Sequence, residues 1–188
     1  MLPDDDYDWQ AFARAARSAP VAPIEAPPEP PTRGRFGVDG LILADLYDVD
    51  PVTGAKALVE HQESHNTVVN AGLNWLRSLF DGITPVAFAR QKYAAIGTGG
   101  TAVSASDTAL GGETAREAIE TYAAGGTGVC TITCEFAAGV GTGSIAEAGL
   151  FDADPAGNMF DRTVFGSAID KTAGRSLTVS WVFTFTST

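Results

Sequence analysis

The strongest constraint on this chain is a two-residue rhythm near its end. Leu177, Val179, Trp181, Phe183 and Phe185 alternate with Thr178, Ser180, Val182 and Thr184. Successive side chains of a strand point to opposite faces, so this segment presents one apolar face and belongs at the centre of a core. The same alternation sets Cys130, Ile132, Cys134 and Phe136 against Thr131, Thr133 and Glu135. Residues 36–49 read as one long or broken strand, D-P-V-T-G at 50–54 as a turn, and Lys56 to His65 as the returning partner. Tyr93 to Gly97 starts another strand. Ala146 to Phe151 and Asn158 to Phe165 flank D-A-D-P-A-G-N as a hairpin. Thirteen of the 21 glycines fall between Gly97 and Gly157, which predicts tight turns between short strands. One helix stands out, with Val69, Leu73, Leu76 and Phe80 on one face and Gly82 as its stop. The expectation for residues 35–188 is an all-β body of seven to nine strands and one short helix. A β-sandwich of jelly-roll or immunoglobulin-like type accommodates that number.

Residues 1–34 follow another pattern and read as an N-terminal arm. Trp9, Phe12, Ala13 and Ala16 recur at helical spacing. Asp4, Asp5, Asp6 and Asp8 lie at the N-terminal end of this pattern, and Arg14 and Arg17 at its other end, both favourable to the helix dipole. A helix this short needs a surface to dock on. Six of the ten prolines follow: Pro20, Pro23, Pro27, Pro28, Pro30 and Pro31. They predict an extended polyproline linker reaching roughly 45 Å at about 3.1 Å per residue. The arm therefore reads as a tether whose Trp9, Phe12 and Ala16 plug into a neighbouring subunit, with the prolines holding it extended.

Charge narrows the partners. Twelve Lys and Arg against 23 Asp and Glu give a formal net charge of −11. That balance disfavours nucleic acid and an anionic membrane surface. No apolar run approaches the roughly 18–20 residues of a membrane span, and no secretory signal is expected. Cys130 and Cys134 would sit about 13 Å apart on a straight strand, beyond disulfide reach, so two free thiols are expected.

Motifs for chemistry are few. His61, Glu63 and His65 would share a strand face, but H-Q-E-S-H departs from the zinc-protease pattern. Gly97-Thr98-Gly99-Gly100 lacks the Lys of a phosphate loop. Glu147 with Asp152, and Asp152 with Asp154, offer carboxylate pairs of almost no specificity, and Asp152, Asp154 and Asn158 could hold calcium in a loop, which ordinary turn chemistry explains better. The expectation is no catalytic residue, no metal and no cofactor. Trp75, Tyr93 and Tyr122 are aromatic residues that a glycan-binding module would use, while Trp181 lies in the apolar register of the core.

Five segments, in order, resemble small structural proteins of tailed bacteriophages. They are H-N-T-V-V-N-A-G-L-N-W-L at 65–76, Y-A-A-I-G-T-G-G-T-A-V-S-A-S-D-T-A-L-G-G-E at 93–113, S-I-A-E-A-G-L-F-D at 144–152, R-T-V-F at 162–165 and I-D-K-T at 169–172. Similar strings occur in appendage, tail-fibre-like and minor virion proteins. The resemblance covers residues 65–186 and leaves out the arm. It implies a non-enzymatic virion component, assembled in the host cytoplasm, with other virion proteins as partners and a homo-oligomer in the particle. A tail, neck or baseplate adaptor or fibre-like protein, a capsid decoration (cement) protein and a carbohydrate-binding module are the three expectations it leaves in play.

Overall fold

The structure, a computed structural model, describes residues 36–81 and 91–187. The arm, with Trp9, Phe12, Ala16 and its prolines, lies outside the described residues, as does Gly82.

Ten strands and one helix follow in chain order: β1 (Phe36–Val49), β2 (Lys56–His65), β3 (Thr67–Val68), α1 (Asn70–Asp81), β4 (Tyr93–Gly97), β5 (Glu113–Ala118), β6 (Thr121–Ala124), β7 (Val129–Phe136), β8 (Gly143–Phe151), β9 (Met159–Lys171) and β10 (Arg175–Ser187). They form two five-stranded sheets, ordered β2-β1-β10-β7-β6 and β3-β9-β8-β4-β5. All the pairings are antiparallel. The described residues are thus mostly β with one short helix.

The alternation of β10 organises the first sheet. Its register aligns Leu46, Leu177 and Phe136 in one row, Ala44, Val179 and Cys134 in the next, and Ile42, Trp181 and Ile132 in a third. All nine side chains are buried and share one cluster with Ala94, Ile96, Ile145, Ala148, Leu150, Phe160, Phe165 and Ile169 of the second sheet. Each large aliphatic or aromatic side chain so buried contributes about 1.5–3 kcal/mol. The first hairpin closes as its turn residues direct: Asp50 Oδ1 accepts the N–H groups of Val52 and Thr53, and Gly54 takes φ +71°.

The structure differs from expectation in four places. The strands among the described residues number ten because β3 and β6, of two and four residues, are too short to show a pattern. β8 begins at Gly143 and β9 runs on to Lys171, both beyond the hairpin arms read from the sequence. Residues 98–112, with two of the glycine groups, form a long loop rather than a tight turn. Helix α1 meets the second sheet through Gly72, Trp75 and Leu76, while Leu73 is 49% exposed. A Cβ at Gly72 would stand 2.2 Å from the Phe160 carbonyl, so only glycine allows the helix this close.

Candidate functional site

A charge inside an apolar strand must be paired or neutralised. Four strand residues of the second sheet meet that condition: Glu147, Asp161, Arg162 and Lys171 are all buried. Three of them lie within the phage-like strings, and Asp161 immediately precedes R-T-V-F.

Glu147 on β8 is fully buried, accepts four hydrogen bonds and makes one further ion-pair contact. Oε1 receives the N–H of Gly99 at 3.0 Å and of Gly112 at 2.7 Å. Oε2 receives the N–H of Gly111 at 3.0 Å and Arg162 Nε at 2.8 Å, with Arg162 Nη2 at 2.7 Å. Arg162 lies on the neighbouring β9, diagonal to Glu147 in the register. It also donates Nη1 to Asp107 at 2.7 Å and Nη2 to the Thr101 carbonyl at 3.1 Å. Burial works against the Arg162 charge, but Asp107 and Glu147 outweigh it, and its pKa is raised. The Asp107 carboxyl is held low by the Ser104 N–H first and by Arg162 second.

The carboxylate and guanidinium thus grip both ends and the middle of loop 98–112. Close approach requires glycine at two positions here: a Cβ at Gly99 would lie 2.4 Å from Glu147 Oε1, and one at Gly97 would lie 2.5 Å from the Gly112 carbonyl. The loop and the start of α1 cover the outer face of the second sheet, where Val69, Ala95, Leu110, Phe151 and Met159 form a second buried cluster. The Asn70 N–H, at the first turn of α1, donates to the Ala105 carbonyl of the same loop at 2.7 Å. Both faces of β8 are therefore covered, and its burial is continuous from Ala148 to Phe151.

Asp161 sits where the β8–β9 register shifts, between Leu150 and Phe151. A bulge leaves backbone groups unpaired, and Asp161 Oδ1 accepts the Leu150 N–H at 3.0 Å. Oδ2 accepts from Asn66 Nδ2. Burial dominates over these bonds and pushes the carboxyl pKa up to about 7. Lys171 ends β9 and donates Nζ to the carbonyls of Ala137 at 2.9 Å and Arg175 at 2.8 Å, tying the ends of three strands. Burial lowers its pKa.

Other residues singled out in the sequence have ordinary partners. His61 Nδ1 bonds Asp45 at 2.6 Å, which raises its pKa, and His65 faces Asp39 at 3.6 Å. No metal-holding group occurs among the described residues. Asp152 closes its own turn by accepting from the Asn158 N–H at 2.6 Å and Nδ2 at 3.0 Å. Cys130 and Cys134 are free thiols, and burial pushes Cys134 up to about 12. Trp181 is in the core, and Trp75 packs edge-on against Phe160 at 5.6 Å.

Beside α1 lies a feature with the character of a receptor. A cavity of about 300 Å³ is lined by Trp75, Leu76, Tyr122, Ile132, Phe160 and Phe183 among others. Its polar member is Gln91, only 5% exposed, whose Oε1 and Nε2 find no hydrogen-bond partner among the described residues. A second groove, of about 490 Å³, shares Leu76 and reaches Phe36 and Leu73.

The sequence reading missed the buried ionic lock. Its signal was present: Glu147, Arg162 and Lys171 each interrupt or adjoin an otherwise apolar strand. No protein-family model, curated protein or solved structure matches this chain.

Proposed function

We propose that this chain is a non-enzymatic structural component of a tailed-phage virion. In this reading it is a tail, neck or baseplate adaptor or fibre-like protein that docks onto neighbouring subunits through its N-terminal arm. The two sheets, facing one another across the shared cluster, are read as a β-sandwich carrying that arm.

One observation carries the proposal. Each of the five phage-like segments contributes a group to holding the body's loops and strand ends: Asn66, the loop 98–112 with Asp107, Glu147, Arg162 and Lys171. Their polar atoms engage one another and the backbone. What resembles virion proteins is therefore scaffold, and scaffold is what a lattice component needs. The arm supplies reach, and tethering raises the effective concentration of a second contact without a large interface. The net charge of −11 opposes premature association of free subunits.

The test is light scattering on a sizing column, comparing the full chain with the double substitution Trp9→Ala, Phe12→Ala. The expected result is a trimer or larger ring that falls to monomer in the variant. An oligomer indifferent to both substitutions overturns arm docking. A full chain that is monomeric alone but joins isolated phage shells transfers the proposal to a decoration protein.

A further inference from the structure

The cavity beside α1 is built to receive something. Its wall is aromatic and aliphatic: Trp75, Tyr122, Ile132, Phe160, Phe183 and Phe185. Into this wall comes one carboxamide, that of Gln91, at 5% exposure and with both polar atoms unpartnered among the described residues. A buried amide left without partners is costly, and ligand sites pair an apolar lining with a few such groups. Its backbone is fixed, because Tyr122 Oη donates to the Gln91 carbonyl at 2.5 Å. An indole fits the aromatic wall and supplies the N–H donor that Gln91 Oε1 lacks.

We infer that the cavity receives the Trp9 indole of a second copy of this chain, with the indole N–H donated to Gln91 Oε1. The inference rests on the arm-docking reading above and names its receptor. Two further observations support that occupant. First, β1 begins at Phe36, which stacks on Phe185 at 6.1 Å between ring centroids, and Phe185 lines the cavity. Each chain therefore carries both a receptor and an arm to fill another copy's receptor, a head-to-tail contact that closes when copies form a ring. Second, the groove that shares Leu76 carries apolar side chains on to Leu73, Val68, Val38 and Phe36, with Asp39, Asn66 and Arg77 also lining it, which suits an amphipathic helix laying down Phe12 and Ala16 one and two turns beyond Trp9.

The experiment titrates a synthetic peptide of residues 1–19 into full-length protein carrying Trp9→Ala and Phe12→Ala, by calorimetry. Saturable binding of one peptide per chain is expected. Adding Cys130→Phe, which fills the cavity from β7, should abolish it. Peptide carrying Trp9→Phe should bind about tenfold more weakly, and that difference should vanish when the protein also carries Gln91→Leu. Gln91→Leu should at the same time raise the melting temperature, since it removes an unsatisfied buried amide; lost affinity then cannot be blamed on lost folding. No binding, or binding indifferent to both Cys130→Phe and Gln91→Leu, overturns the receptor. If the intact chain still loses its oligomer on Trp9→Ala, Phe12→Ala, arm docking survives at another surface. If that oligomer persists, arm docking itself fails.

Discussion

Charged side chains decide how this body is held, and each carries a measurable consequence. Glu147 is buried with three glycine N–H groups and the Arg162 guanidinium on its two oxygens. Glu147→Gln removes the charge and puts an amide N–H against donors. The expected loss is about 3 kcal/mol, the scale on which a buried ion left short of its partner destabilises a fold. Urea unfolding measures it, with Arg175→Gln on the exposed Asp48 pair as a control expected within about 0.5 kcal/mol. Asp161 acts through protons. Its carboxyl, near 7 in the fold against 3.8 for the free group, holds a proton more tightly folded than unfolded. Its contribution is complete below about pH 4 and is lost as the pH rises through about 7. Asp161→Asn should remove that slope, because its amide oxygen takes the Leu150 N–H and a turned Asn66 amide accepts the new donor. The substitution should therefore gain in melting temperature over the wild type between about pH 5 and about pH 8. An unchanged slope would mean that Asp161 stays ionised throughout.

Elements show where local pattern sufficed and where it did not. β1, β2 and the apolar face of β10 match the sequence reading because each carries its own alternation and its own bounding turn residues, and β4 matches as a short apolar run closed by Gly97. The loop 98–112 does not, because its shape is imposed by Glu147 and Arg162 from strands that follow it by tens of residues. Its glycines look alike in sequence and are unequal in the fold. Gly99 lies against Glu147, whereas a Cβ at Gly100 would meet nothing within 4 Å. Gly99→Ala should therefore cost about 1–3 kcal/mol by overpacking, and Gly100→Ala less than about 0.5 kcal/mol. Thermal melts of the two variants decide it, and equal losses would mean that the loop is not held as described. Helix α1 is the intermediate case. Its periodicity predicted the segment, but which face packs was set by the approach that Gly72 allows and by the aromatic contact of Trp75 with Phe160.

At the scale of the whole molecule, both sheets contribute to one core, and a polar lock holds a loop across the back of the second. The sequence by itself determined that the body is β-rich, that β10 lies in its core, that Cys130 and Cys134 stay unbridged and that one helix interrupts the strands. These follow from alternation, spacing and turn chemistry, which act over a few residues and so are written locally. Tertiary structure alone decided that Arg162 meets Glu147 and Asp107, that the bulge at Leu150 recruits Asp161, and that the Gln91 carboxamide stands in an aromatic cavity without a partner among the described residues. Each of these joins residues from separate elements. Their cause is the cost of leaving a buried charge or amide unpaired, which can be assessed only once the neighbours that exclude water are in place.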